Sequence, residues 1–286
     1  MKSCLSPNEI AAFEDDGFLI VRNVFDRDEI ETIAASFDQV LADALEYGRS
    51  YRHGNLFYNL GVDANLGTLC RMVQWPSWAY PVLDKVRCDP RFVDLLRPLI
   101  GDNLKQIINQ MHWKYAGAAT GDFAYHQDSR FRKPDSAYRD MAGSYVQTGL
   151  AIDRHAPETG GMRFVRGSHK RGAIDMHIDG EVMGNGMSEA ALLAVGLDPA
   201  DQVDLVLEPG DLALWHVHLV HGSGANTADH KRGLYINGYV RADNCDRGEW
   251  TFREGVPVPL GKTPSLVHYE QLYEMPDPHF VESQAA

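Results

Sequence analysis

The most constraining feature of this 286-residue chain is a change of pattern near residue 104. Before it the signals are helical. SPNEIAAFEDDG predicts a capped helix, with Ser6 at the N-cap, Pro7 in the first turn, Glu9 closing a capping box and Gly17 past the end. FLIVRNV (Phe18 to Val24) reads as a short strand. Asp26 or Asp28 then caps a helix reaching about Tyr47, and two shorter helices follow near 77–87 and 90–99. Residues 49–75, rich in Gly, Asn and aromatics, read as irregular. From LKQIINQMHWKY onward, short strands broken by Gly, Pro and Asp run to about residue 242, with a loop and short helix inserted at 181–200. Helices first and many short strands afterwards predict a mainly β fold with flanking α-helices, a sandwich or jelly roll. No linker divides the chain, so one domain is expected over 1–286: a helical part to about 100, a jelly-roll core over about 101–242 and a tail from 243.

Composition narrows the partners. A net charge of −13 argues against nucleic acid or an anionic membrane surface, both of which reward clustered Lys and Arg. It leaves room for an anionic small molecule, which a few local cations can hold. Cys4, Cys70, Cys88 and Cys245 are widely spaced with no CxxC pair, which predicts free thiols in a reducing compartment. The N-terminal run turns acidic at once and has no apolar h-region, and no stretch has the length of a membrane span. A cytoplasmic location is expected; oligomeric state is not legible.

The candidate chemistry starts in AYHQDSRF. His126 and Asp128 are two apart, so in an extended strand both project from one face and can approach one metal together. An HxD pair alone is weak, because a structural hydrogen bond explains it equally well. About 95 residues on, EPGDLALWHVHLVHGSGANTADHKRG carries His216, His218, His221 and His230. His221, at a strand end before GSGAN, completes two imidazoles and one carboxylate. That set covers one face of an octahedron and leaves positions open for a bidentate keto acid and O₂ on Fe(II). His216 and His218 read as packing residues and His230 as a solvated surface residue. Arg232 opens the next strand, and a guanidinium can grip a carboxylate through two parallel donors. Taken alone, it also reads as a surface Arg at a strand start. PGD (209–211) and RGSHK (166–170) read as turns.

Together these pieces resemble the phytanoyl-CoA dioxygenase family of 2-oxoglutarate oxygenases. LSPNEIAAFEDDGFLIVRNVFDRDEI, HWKY, YHQD, ETGGMRFVRGSHKRG and EPGDLALWH-to-HGSGANTADHKR occur in the family's order, from about residue 5 to about 242. The resemblance implies a double-stranded β-helix of cupin type, with His126, Asp128 and His221 as iron ligands and Arg232 as the cosubstrate arginine. It also implies that inward positions on the strand before HxD help to hold the cosubstrate. Alternation puts Ile108, Gln110, His112 and Lys114 on one face, so Gln110 and His112 become candidate cosubstrate contacts; Phe123 and Thr148 are candidates for the pocket wall. One departure is that VQTGLAID lacks the Trp relatives often carry on that strand.

The implied activity is an Fe(II)- and 2-oxoglutarate-dependent dioxygenase that uses O₂ to hydroxylate an unactivated C–H of a small molecule, releasing succinate and CO₂. Family breadth suggests secondary metabolism. Retention of Asp128 argues against halogenation, in which a small residue replaces the carboxylate; desaturation, epoxidation and cyclisation stay open. Residues 50–75, 129–144, 174–200 and the tail are candidates for substrate loops, and Arg130, Arg132 and Lys133 for contacts to an anionic or polar substrate. Two other readings remain: a cupin-like metalloenzyme that does not use 2-oxoglutarate, and a non-catalytic small-molecule binding protein.

Overall fold

Ser6 and Asp26 each form a capping box, with Glu9 and Glu29 respectively, and so start helices α1 (Pro7–Asp16) and α2 (Arg27–Glu46) on either side of strand β1 (Phe18–Val21). Of the two aspartates proposed as caps, Asp26 fills the role. In the computed structural model, residues 4–176, 178, 182, 186–261, 275 and 277–281 are described.

The segment expected to be irregular is instead three strands, β2 (Tyr51–His53), β3 (Leu56–Asp63) and β4 (Gly67–Gln74). Gly54, Asn55 and Asn65 belong to turns, whereas Asn59 and Gly61 lie within β3 and Gly67 opens β4. Asp63 organises the tightest of these by accepting from the backbone N–H groups of Asn65 and Leu66, and it also accepts from Ala119 in the loop after the next long strand. The part of the chain before residue 101 therefore supplies strands as well as helices. Helices α3 (Pro81–Arg87) and α4 (Pro90–Ile100) follow, close to the predicted positions.

Next come β5 (Leu104–Lys114), β6 (Phe123–His126), a one-turn helix α5 (Met141–Ser144), β7 (Tyr145–Ala151) and β8 (Met162–Val165). Helix α6 (Glu189–Ala194) lies in the predicted insertion, part of which is outside the described residues. The chain continues with β9 (Gln202–Asp204), β10 (Leu212–His216), β11 (His221–Ser223), β12 (Arg232–Arg241), β13 (Glu249–Arg253), β14 (Val256–Pro257) and β15 (His279–Phe280).

Among the described residues these strands form two antiparallel sheets, ordered β1-β10-β7-β12-β5-β4-β3-β2-β15 and β6-β11-β8-β9. Together they make a double-stranded β-helix, a jelly roll. Alternation along β5 and β12 separates two functions. Met111, Trp113, Tyr235 and Tyr239 face outward, into one apolar core with Ile33, Phe37 and Val40 of α2 and Leu95 and Leu96 of α4. Ile108, Gln110, His112, Lys114, Arg232, Leu234 and Ile236 face inward and line a cavity between the sheets. At the turn before β10, Gly210 has φ +92, and a Cβ there would lie 2.3 Å from the Phe25 carbonyl oxygen. The next residue, Asp211, accepts from Arg22 and from the Asn23 backbone, tying β1 to the start of β10. No helix among the described residues is long and apolar enough to cross a membrane.

Candidate metal and cosubstrate site

The antiparallel register brings the histidines together. His126 ends β6, His221 opens β11, and the two are direct cross-strand partners. Asp128 begins the 3₁₀ turn that follows β6. One ligand atom from each of His126, Asp128 and His221 lies within 4.8 Å of the others, and all three residues are buried. His126 Nδ1 donates to the Ala124 carbonyl at 2.7 Å and His221 Nδ1 to the Leu219 carbonyl at 3.0 Å. A carbonyl can only accept, so Nδ1 carries a proton in both rings and Nε2 is the nitrogen left to bind a metal. His221 Nε2 stands 3.8 Å from Asp128 Oδ2.

The electrostatics agree. Burial, reinforced by His221, pushes His126 down to about 3, so its imidazole is neutral. Burial alone would raise Asp128. His221, Arg132, His126 and the indole N–H of Trp215 outweigh it and hold the carboxyl below its ordinary value. That indole donates to Asp128 Oδ2 at 2.8 Å. Trp215 lies over Gly149, where a Cβ would come within 3.1 Å of the ring, so the tryptophan missing from β7 has a counterpart on the neighbouring strand. Two imidazoles and one carboxylate, each with a ligand atom in this cluster, suit a divalent first-row metal such as Fe(II).

The far end of the cavity is cationic. Arg232 on β12 is directly opposite Lys114 on β5. The Arg232 guanidinium is anchored by donating to the carbonyls of Gly160 at 2.7 Å and Thr159 at 3.4 Å. Gly160 has φ +68, and a Cβ there would fall 2.7 Å from the Lys114 side chain. Lys114 donates to Ser223 Oγ at 2.7 Å and to the Gly224 carbonyl. Burial pushes Arg232 down to about 10. Burial, with the charge of Arg232 added, pushes Lys114 down to about 6. Among the described residues neither has a carboxylate at ion-pair distance. A buried guanidinium, and beside it a lysine whose charge burial suppresses, lack an anion unless a ligand supplies one, and a dicarboxylate entering from the metal side meets that need.

The layers of the sheet set the spacing. Leu234 and His112 form the next inward layer, about 7 Å along the strands from Arg232 and Lys114. That is comparable to the length of 2-oxoglutarate. His112 is pushed down to about 4, by burial first and Arg232 second, and its Nε2 lies 3.1 Å from Gln110 Oε1. Both residues, and Phe123, line the cavity as expected. Thr148 does not. On β7 the inward residue is its neighbour Gln147, while Thr148 donates to the Asn237 carbonyl and is absent from the cavity lining. The placement of Thr148 in the pocket is thus corrected: the alternation was recognised, but nothing in VQTGLAID sets its phase.

His216 and His218 lie away from the triad. His216 accepts from the His218 backbone, and His218 Nδ1 is 2.9 Å from Ser129 Oγ. His230 is exposed and bonded to Asp229. Trp215, Ser223 and Gln147 line the cavity without having been singled out in the sequence; Arg52, Met72 and Gln74 lie within the segment 50–75 named for substrate contacts but arrive on strands β2 and β4 rather than on a loop. Lys114 was placed on the right face without a role; its place on that face two residues after His112 was the available signal.

The two sheets, the buried triad and the cationic end define a class, the double-stranded β-helix dioxygenases that use iron and 2-oxoglutarate. The chain belongs to the phytanoyl-CoA dioxygenase (PhyH) family, whose model matches residues 13–234. It is 25% identical to a probable alpha-ketoglutarate-dependent hypophosphite dioxygenase of Stutzerimonas stutzeri, covering 80% of this chain and 76% of that one. It is 24% identical to mouse (Mus musculus) phytanoyl-CoA dioxygenase domain-containing protein 1, covering 82% and 89%. A structure of EctD from S. alaskensis with 2-oxoglutarate and 5-hydroxyectoine superposes with a TM-score of 0.63 at 19% identity, covering 91% of this chain and 83% of that one. This chain is accordingly an Fe/2-oxoglutarate-dependent dioxygenase.

Proposed function

We propose that this dioxygenase hydroxylates an unactivated C–H of a small molecule, as a tailoring step in natural-product metabolism, with His126, Asp128 and His221 holding Fe(II) and Arg232 and Lys114 holding 2-oxoglutarate. One observation carries the reading: the three clustered ligand atoms and two buried basic side chains, with no carboxylate at ion-pair distance among the described residues, open into the same cavity of about 790 Å³. Bound there, iron and 2-oxoglutarate supply the oxidising power, O₂ being reduced as the keto acid becomes succinate and CO₂ and one oxygen atom passes to the substrate. The protein's own residues position and protect. Arg232 and Lys114, with Ser223 beside them, grip the distal carboxylate. Gln110, whose Oε1 accepts from the neutral His112 ring, keeps its amide nitrogen as a donor on the same inward face. Trp215 keeps the Asp128 carboxylate turned toward the ligand cluster. Ile108, Phe131, Leu234 and Ile236 form apolar walls that keep bulk water from the reacting carbon. The cavity is larger than the cosubstrate alone requires, which supports a substrate bound beside it rather than at the surface.

Anaerobic addition of Fe(II) and then 2-oxoglutarate should produce a visible metal-to-ligand charge-transfer band, and admission of O₂ with substrate should release succinate and hydroxylated product in equal amounts. A protein that binds Fe(II) but gives no band, or an Arg232→Ala variant with full activity, would overturn the use of 2-oxoglutarate.

A further inference from the structure

The substrate side of the cavity has its own chemistry. Among the described residues lining the cavity, Arg52, Lys114, Arg130, Arg132, Lys133 and Arg232 are basic and Asp128 is the one acid. This is the reverse of the whole chain, which carries −13. Lys114 and Arg232 belong to the cosubstrate end. The other four lie elsewhere on the lining; Arg132 pairs with Asp128 at 3.7 Å and Lys133 with Asp135 at 2.9 Å. The side chain of Arg130 is exposed and, among the described residues, has no carboxylate at ion-pair distance; its guanidinium rests 5.6 Å from the Phe131 ring.

Beside this rim a single donor is fixed by proton counting. Arg132 Nε is 3.1 Å from the Tyr145 oxygen, and Tyr145 is 2.8 Å from Gln147 Oε1. A guanidinium can only donate, so the Tyr145 oxygen accepts from it and spends its own proton on Gln147. The atom of Gln147 receiving that proton must be the amide oxygen. The amide nitrogen therefore points the other way, and Gln147, only 2% exposed, is part of the cavity lining. Gly238 makes the arrangement possible: a Cβ there would sit 2.0 Å from the Tyr145 oxygen and 2.5 Å from Gln147 Oε1. The result is a pre-set N–H donor with no acceptor among the described residues, in a wall next to Asp128.

We propose that the substrate is a small organic acid, whose apolar body packs on Ile108, Phe131 and Ile236 and whose oxygen atoms are recognised by the Gln147 amide nitrogen and the Arg130 guanidinium. This rests on the function proposed above and adds the substrate's charge. The Arg130 charge at the rim of a low-dielectric cavity attracts anions and repels ammonium groups. The buried amide N–H selects an oxygen acceptor, because leaving it unpaired against an apolar ligand forfeits a hydrogen bond. Arg132 acts through Tyr145 and Asp128 and is a positioning residue.

The test uses the full chain loaded anaerobically with Fe(II) and saturating 2-oxoglutarate, so that added acids cannot enter through the cosubstrate site. Matched triples of carboxylic acid, methyl ester and primary amine on the same aryl, alkyl and cyclic skeletons are titrated, binding being read by calorimetry and by perturbation of the charge-transfer band. The acid of a triple should bind about tenfold or more tighter than its ester and amine, as expected for a charge-assisted contact. A phosphonate arm on the same skeletons reports which oxyanion is preferred. Arg130→Glu, a surface change that folding tolerates, should remove the preference for acids, and Gln147→Leu should weaken acids and esters alike. The proposal is overturned if acids bind no better than their esters and amines across the panel, or if Arg130→Glu leaves the preference intact. Failure to bind 2-oxoglutarate at all would instead sink the proposed function, so the two failures are distinct.

Discussion

The two faces of the major sheet are made by the same strands and could hardly differ more. On β5, Met111 and Trp113 point out and His112 and Lys114 point in; on β12, Tyr235 points out and Arg232 and Leu234 point in. The outer face gains by packing. Phe37 of α2 sits edge-on to both Trp113 and Tyr235, each with ring centroids 5.8 Å away. The inner face carries desolvated charges that cost stability until a ligand arrives. Residues one position apart should therefore respond oppositely to removal: outer ones through folding, inner ones through binding.

The largest effect tests the outer face. Phe37→Ala should lower the unfolding free energy by about 3–5 kcal/mol, as expected for a large buried aromatic cut to a methyl group. Chemical denaturation measures it, and the folded variant should keep the parent's affinity for 2-oxoglutarate. A comparable loss of affinity would show that the faces are not independent. Arg232→Met is the counterpart on the inner face. Removing one partner of a buried, hydrogen-bonded charge pair costs about 2–5 kcal/mol, so the Kd for 2-oxoglutarate should rise about 30-fold or more. The cosubstrate-free variant should lose no more than about 1 kcal/mol of stability, because the hydrogen bonds to Gly160 and Thr159 are offset by relief of the buried charge. A sharp drop in stability with unchanged affinity would make Arg232 a structural residue.

The same contrast explains what could be read in the sequence. HxD, His221 and Arg232 were legible because the chemistry demands particular side chains at strand spacing, and the faces of β5 followed from alternation alone. The helix starts were legible because capping boxes are local. Strands β2 to β4 were not, because their hydrogen bonds come from partners such as β5, Asn and Gly weaken any local strand signal, and Asp63 organises a turn partly through Ala119, 56 positions away. The exchange of Thr148 for Gln147 is a one-residue error of phase, which pairing with β10 and β12 resolves and composition does not. Trp215 was hidden for a different reason. It stands in a run that reads as plain core, and its contact with Asp128 spans 87 positions.

Between the two faces stands Trp215, buried like a core residue yet bonded to a candidate ligand. If it orients the Asp128 carboxylate, Trp215→Phe should keep most of the packing and lose the N–H donor. Outer-shell changes of this kind weaken metal binding by about 10- to 100-fold. Competition with a metallochromic chelator measures the Fe(II) affinity, with 2-oxoglutarate affinity of the metal-saturated variant as the reference. Unchanged Fe(II) affinity would place Trp215 wholly with the core.

The smallest effect is a pH dependence at the cationic end. Lys114 is pushed down to about 6, against an ordinary value near 10.4 in an unfolded chain. Between these values the unfolded chain holds more protons than the cosubstrate-free fold, so the stability of that fold should rise with pH from about 6 upward. Below about 6 both forms are charged and the burial penalty is fully present. A bound dicarboxylate restores the charge on Lys114, so binding above about pH 6 takes up a proton and the Kd for 2-oxoglutarate should climb by up to about tenfold per pH unit. Calorimetry in buffers of different ionisation enthalpy counts that proton directly. Lys114→Met should bind 2-oxoglutarate more weakly at pH 6 and lose the slope. A parent Kd that stays flat as the pH is raised from about 6 to 8 would mean that Lys114 keeps its charge in the empty cavity, and the penalty assigned to the inner face would then rest on Arg232 alone.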